Sequence, residues 1–165
     1  MSPRELAVHK AAPKRLMGMP SFKRLTRGKL PKPFHKMGAP RLQATSLIAV
    51  SDKHRVIFMW RDGETLQDAA FMAWLFFVQG EQVLYPLFEL HFHPSHKGVH
   101  CKTPCRSDMD YSNRQLPAAW ELNLATSEGL DPRSDTHRKQ LMLQFCAACG
   151  ITVTQEEDPW TLPLA

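Results

Sequence analysis

The sequence predicts an α+β fold in which a small antiparallel β-sheet packs with about two helices, preceded by an extended basic N-terminal arm. Three observations predict it. Short β-prone runs separated by turn residues recur between residues 45 and 102. A capped helical pattern follows Asp131. Prolines and cations crowd residues 1–42, where neither a long helix nor a sheet ladder is expected.

The chain divides into three parts by composition. Residues 1–42 form the arm, which we call the basic segment, residues 43–155 form a single α+β domain, and residues 156–165 form an acidic C-terminal tail. The basic segment holds eleven Lys and Arg against one acid, Glu5, a net charge of +10. The rest of the chain holds ten against fifteen, so it carries −5, and the whole chain carries +5.

A cationic segment on an anionic body predicts a polyanionic partner, first of all nucleic acid, with RNA and DNA both open. The cations expected to contact phosphate are Lys14, Arg15, Lys23, Arg24, Arg27, Lys29, Lys32 and Lys36. Few aromatic residues lie among them, which favours phosphate contacts over base stacking. The alternative is a solubilising tail, or a tail that docks on its own domain.

The first strands of the domain are predicted from turn signals and alternation. Thr45–Val50 and Arg55–Trp60 flank a polar turn and predict a β-hairpin. Apolar residues fall on both faces of the second run, so both faces of this strand are expected to be covered. Residues 64–78 are apolar on all sides and fit either a helix or a buried strand, and a helix is the expectation.

The second half of the domain contains another hairpin and the main helix. Leu87–His93 and Val99–Lys102 are expected to pair across a turn at residues 94–98. A helix is expected to begin with Asp131 as the N-cap and Pro132 as its first residue, and to end at Gly150. Ile151–Thr154 reads as a last strand.

The second hairpin carries the best candidates for chemistry, because four of the eight histidines lie between residues 91 and 100. The candidate catalytic residues are Glu89, His91, His93, His100 and Lys102. Alternation places the Glu and His residues on one face of the strand, outside or in a cleft. They fit acid–base cleavage of RNA, a metal site, or phosphate binding. A solvated polar strand face is the competing structural explanation.

The four cysteines form two close pairs, Cys101 with Cys105 and Cys146 with Cys149. Two such pairs from distant parts of a chain are typical of a structural zinc site, which makes zinc the predicted cofactor. Plain core cysteines are the alternative, since cysteine is among the most buried residue types. A thioredoxin-like role fits less well, because Cys146 and Cys149 end a helix, where the dipole raises a thiol pKa.

Several classes of protein are disfavoured by missing motifs. The sequence has no P-loop, no dinucleotide-binding glycine pattern, no zincin motif and no nucleophile elbow. No apolar signal segment opens it, and the longest apolar run, residues 69–78, is about half of a membrane span. A cytoplasmic location and no membrane partner are therefore expected.

The stretch SDKHRVIFMWRDGE, residues 51–64, resembles the central hairpin of small bacterial ribonuclease toxins of the RelE type. The resemblance covers about a tenth of the chain, and nothing downstream continues it. No catalytic residue is carried over from it.

Three functions fit the sequence. The first is a nucleic-acid-binding protein that contacts phosphate through its basic segment. The second is a small toxin-like ribonuclease that uses the hairpin at residues 89–102. The third is a zinc-stabilised protein-interaction module.

Overall fold

The structure is a computed structural model that describes residues 2–30, 34–80, 83–94, 98–102 and 129–154, with the backbone alone for Pro3 and for residues 98–102. The predictions for Lys32, Cys105 and the acidic tail lie outside these residues. The helices are α1 (Pro3–Ala11) and α2 (Asp135–Ala148). The strands are β1 (Lys14–Met17), β2 (Lys23–Arg24), β3 (Leu42–Ala44), β4 (Ile48–Ala49), β5 (His54–Arg61), β6 (Ala70–Gln79), β7 (Val83–His93), β8 (Gly98–Lys102) and β9 (Ile151–Thr154).

In the described part of the chain, seven strands form one antiparallel sheet in the order β2-β3-β5-β6-β7-β8, with β4 also paired to β5. The remaining two strands, β1 and β9, form a separate parallel pair in which Lys14 lies opposite Ile151. This architecture confirms the α+β class. The predicted hairpins are present as β4–β5 and β7–β8, and the predicted last strand is β9.

Both faces of the large sheet are buried, as the alternation along β5 predicts. Val56 and Phe58 lie in one cluster and Ile57 and Met59 in the other. We call the first cluster the helix-side core, because Phe58 packs edge-on against Phe145 of α2 with ring centroids 5.9 Å apart. We call the second the outer core, which also contains Leu25, Leu30, Trp74 and Phe76. A sheet that is apolar on both faces needs a covering layer on each.

The basic segment supplies much of that covering, and the expectation that it forms no sheet ladder is wrong, because β1 and β2 both pair with other strands. Leu16 lies in the helix-side core, and Leu25 and Leu30 lie in the outer core. The Phe34 ring contacts Trp74, with centroids 5.1 Å apart. The segment is extended along much of its length, yet it packs on both sides of the sheet because α2 covers only one face.

The expectation of a helix over residues 64–78 is wrong. This stretch contains a 3-10 turn, Leu66–Asp68, followed by the long strand β6. Along β6, Phe71, Ala73 and Leu75 enter the helix-side core, while Trp74 and Phe76 enter the outer core. A strand buried on both faces is apolar at almost every position, so its sequence shows no period of two.

A β-bulge sets which face of β7 carries the histidines. Leu75 pairs with Phe88, whereas the next residue, Phe76, pairs with Pro86, so Leu87 is an extra residue in β7. After the bulge, Leu90 faces the helix-side core. The alternate positions, including His91, therefore lie on the outer-core face.

The main helix begins later than the sequence predicts. Ser134 is the N-cap and accepts a hydrogen bond from the His137 amide. Asp131 instead accepts one from the Arg133 amide, at 2.8 Å, and so stabilises the turn that precedes the helix. Asp and Ser are both good N-cap residues, and the helix begins after Ser134, which is nearer to the apolar residues that recur at helical spacing. The helix ends where predicted, with Gly150 in the left-handed region at φ 65°.

The packing of the basic segment predicts a stability difference between adjacent residues. Leu16 is 1% exposed and Met17 is 68% exposed. We expect Leu16→Ala to lower the free energy of unfolding by about 2 to 5 kcal/mol, as for other buried leucines. Met17→Ala is the matched control and should change it by less than about 0.5 kcal/mol. Urea denaturation followed by circular dichroism measures both, and equal values would show that the segment is not packed.

Candidate functional site

The candidate catalytic residues lie on the hairpin of β7 and β8. The backbone register pairs Glu89 with Lys102 and His91 with His100, so these four positions lie on one face of the sheet. Leu90 pairs with Cys101 on the opposite face. Gly98, which the sequence places in the turn, instead begins β8 and pairs with His93, so the predicted turn is one residue too long.

Glu89 and His91 contact each other beneath the surface. The Oε1 atom of Glu89 accepts a hydrogen bond from Nε2 of His91, and their side chains are 11% and 13% exposed. The His91 ring also meets Trp74 edge-on, with centroids 5.3 Å apart, and lies 5.7 Å from the ring of His93. This environment is less solvated than the sequence predicts. A carboxylate that orients an imidazole is one component of acid–base catalysis.

The described cysteines are core residues. Cys146 and Cys149 are buried at the end of α2 and belong to the helix-side core. Burial raises the pKa of Cys146 to about 12, so its thiol is protonated at neutral pH. Cys101 is described by its backbone alone. No group of three or more His, Cys, Asp and Glu side chains within the described ranges is arranged to hold a metal ion, and zinc stays a prediction.

A groove of about 540 Å³ lies where the basic segment crosses the β3–β4 region. We call it the basic groove. Leu25 and Leu30 lie along it, and the cations Lys23, Arg24 and Lys29 line it. All three cations are exposed. Within the part of the chain that the structure describes, no acidic side chain lines this groove.

The other predicted phosphate-binding cations differ in their placement. Arg15, Arg27 and Lys36 are exposed but do not line the basic groove. Lys14 is buried, at 3% exposure. Its ammonium group donates hydrogen bonds to the backbone carbonyls of His9, Lys10 and Ala12, at 2.6 to 2.9 Å. Lys14 therefore caps the C-terminal end of α1 and is not presented to a partner.

A polar cluster that the sequence did not single out docks α1 onto the sheet. Nδ1 of His9 lies 3.1 Å from Nε2 of His54, and Nδ1 of His54 lies 2.8 Å from the Ser51 hydroxyl. Burial, together with the charge of Lys14, lowers the pKa of His54 to about 4. The same causes lower the pKa of His9. Both histidines are neutral because the cluster is partly buried and already contains the ammonium group of Lys14.

A second feature that the sequence did not reveal is a pocket of about 320 Å³ beside Arg138. We call it the Arg138 pocket. Trp60 of β5 and Phe22 of the basic segment also line it. These residues are far apart in the chain, and no spacing rule connects them.

Comparison with known proteins gives no relative: no protein-family model, curated protein or solved structure matches this chain. None of the helices in the described ranges has the length and apolar character needed to cross a membrane. The function is therefore argued from the chain's own residues.

The neutral state of His54 predicts a loss of stability in acid. The unfolded chain takes up a proton near the ordinary histidine pKa of about 6.5, whereas the folded chain resists it until about pH 4. The stabilisation is complete above about pH 6.5 and decreases as the pH falls from there to 4, by about 1 to 3 kcal/mol in total.

Replacing His54 with Gln should remove this component. Denaturant unfolding at several pH values should show a shallower pH dependence for His54→Gln than for the wild type between pH 6.5 and 4. His35→Gln lies outside the cluster and serves as the control. Parallel curves for the wild type and His54→Gln would contradict the assignment.

Proposed function

We propose that this chain binds nucleic acid through the basic groove. The observation that carries the proposal is a concave surface lined by three exposed cations, Lys23, Arg24 and Lys29, without an acidic side chain among its described residues. A concave surface of one sign of charge concentrates its field and attracts a polyanion. Lysine and arginine are the residues that neutralise nucleic-acid phosphates.

The cations are held in place by the fold. Lys23 and Arg24 form β2, which pairs with Ala44 and Gln43 of β3. The loop that carries Lys29 is held at both ends by the buried Leu25 and Leu30. Binding to fixed charges costs less conformational entropy than binding to a free tail.

The cations are also available. Lys23, Arg24 and Lys29 form no ion pair with any residue that the structure describes. Arg41, by contrast, is paired with Glu64. A cation that is already paired gains less from a phosphate, so the three groove cations are the ones expected to bind it.

An apolar side chain lies beside the charges. Met17 lines the basic groove and is 68% exposed, which is unusual for a large apolar residue of a folded domain. A thioether next to cations suits a ligand that has both phosphates and flat apolar surfaces. Nucleic acid has both, whereas an acidic peptide carries carboxylates and has neither phosphates nor bases.

A salt titration tests the proposal. Binding of fluorescein-labelled 20-nucleotide RNA and DNA, single-stranded and duplex, is measured by fluorescence anisotropy at several salt concentrations. The triple variant Lys23→Gln, Arg24→Gln, Lys29→Gln should reduce the slope of log K against log salt by about 2 for a single strand, since each phosphate contact contributes about 0.7. Comparison of the four oligonucleotides identifies the preferred form.

The matched control also removes three cations. Arg4→Gln, Lys53→Gln and Arg61→Gln change exposed residues that do not line the basic groove. This variant should keep the wild-type slope within about 0.5, which is less than one phosphate contact. If both triple variants lower the slope equally, binding depends on total charge and the groove has no special role. If the wild type shows no salt-dependent binding, the proposal fails.

Ribonuclease activity is a second candidate, and the contact between Glu89 and His91 favours it. Acid–base cleavage of RNA needs a group that takes a proton from the 2′-hydroxyl, and an imidazole oriented by a carboxylate can do this near neutral pH. The side chains are 11% and 13% exposed, so the pair is not sealed from solvent.

The test compares cleavage of labelled RNA by the wild type and by His91→Asn, in buffer with EDTA. We expect His91→Asn to lower the cleavage rate at least about 100-fold, the lower range for one acid–base group. His35→Asn is the matched control and should keep the wild-type rate. The corresponding DNA, which lacks the 2′-hydroxyl, should stay intact. Equal rates for His91→Asn and the wild type would remove this candidate.

A further inference from the structure

The Arg138 pocket lies next to the basic groove. The two cavities share Pro20 and Ser21, so they lie on either side of one short stretch of the basic segment. The pocket volume, about 320 Å³, lies within the range of small-ligand sites. Its walls combine apolar residues, Met19, Phe22 and Met142 among them, with the polar residues Ser21, Gln43, Asp135, Arg138 and Lys139.

Arg138 is the central polar residue of the pocket. It is only 6% exposed, and its guanidinium carbon lies 4.0 Å from the centre of the Trp60 ring. Its Nη1 atom donates a hydrogen bond to the Pro132 carbonyl at 2.7 Å, and its Nη2 atom contacts Asp135. The guanidinium group is therefore held in one orientation. A fixed, stacked guanidinium is typical of sites that recognise flat ligands with hydrogen-bond acceptors.

Two buried donors in the pocket walls lack an acceptor. Nε of Arg138 and Nε1 of Trp60 are buried and have no hydrogen-bond partner among the residues that the structure describes. Buried polar atoms are nearly always paired, because an unpaired one is costly. Two unpaired donors on two residues in van der Waals contact indicate that an acceptor from outside the described chain belongs here.

We infer that the Arg138 pocket takes one unstacked nucleobase that carries a ring carbonyl, from the strand whose phosphates lie in the basic groove. This inference rests on the proposed function. A base inside a duplex is stacked and paired, so the partner is single-stranded. A ring carbonyl of uracil, thymine, cytosine or guanine has two lone pairs and can accept a hydrogen bond from both donors, whereas each ring nitrogen of adenine has only one lone pair.

The test compares oligouridylate and oligoadenylate 12-mers by fluorescence anisotropy. Trp60→Phe keeps an aromatic ring and removes the indole N–H. Arg138→Lys keeps the charge and removes Nε. We expect each variant to weaken binding of oligouridylate about tenfold, which is within the range for losing one base contact. Binding of oligoadenylate should change less than twofold.

The controls separate this inference from the proposed function. Tyr85→Phe removes an aromatic hydrogen-bond donor, a hydroxyl, from a residue of β7 that lines neither cavity, and should leave both affinities unchanged. The salt dependence should stay at the wild-type slope in Trp60→Phe and Arg138→Lys, because neither change removes a charge. Thermal unfolding of each variant checks that the fold is retained.

The outcomes distinguish the two ideas. If the wild type binds with a salt slope but Trp60→Phe and Arg138→Lys bind oligouridylate as tightly, ordered water satisfies the donors and the inference is wrong. If Trp60→Phe and Arg138→Lys weaken the binding of oligouridylate and oligoadenylate equally, the pocket does not recognise a base by its carbonyl group. If the wild type binds neither oligomer at low salt, the proposed function itself fails.

Discussion

The structure depends on one constraint: the central sheet is apolar on both faces and must be covered on both. Phe58 and Leu75 enter the helix-side core, while Ile57 and Trp74 enter the outer core. Helix α2 packs on the first face only. The outer core is completed by Leu25 and Leu30 of the basic segment, which are 6% and 8% exposed. Burying apolar area is the dominant favourable contribution to folding, so the most cationic part of the chain is drawn onto the domain.

This constraint also determines which cationic side chains of the basic segment are exposed. Each leucine that packs inward leaves its polar neighbours at the surface, so Lys23, Arg24 and Lys29 remain exposed around an anchored backbone. Lys14 is the exception, because its ammonium group satisfies three carbonyls at the end of α1. A free tail and an anchored segment have the same net charge and a similar salt dependence. They differ in entropy, since the anchored cations are ordered before a partner arrives, and in geometry, since only the anchored ones can form a groove.

The sequence predicts the features that local pattern controls. The α+β class, the hairpins at β4–β5 and β7–β8 and the end of α2 follow from alternation, turns and capping. The sequence of strand β6 also fits a helix, because burial on both faces removes the period of two that identifies a strand. Docking of the basic segment on the domain is only an alternative in the sequence, since Leu16, Leu25 and Leu30 contact partners far along the chain. The sequence does not predict the Trp60–Arg138 contact or the pairing of His9 with His54, 45 residues away.

The basic groove and the histidine hairpin both border the outer core and need not be alternatives. The bulge at Leu87 places His91 on the outer-core face, where its ring meets Trp74, and Phe34 of the basic segment meets the same indole. In the strand order, β3 beside the groove is three strands from β7. That is roughly 14 Å at the usual spacing of strands. A single strand bound at the groove could therefore extend along this face to Glu89 and His91. A cleavage site there would depend on the groove for its substrate, whereas binding at the groove would not depend on the hairpin. Of the two proposed functions, nucleic-acid binding is therefore the one on which the other depends.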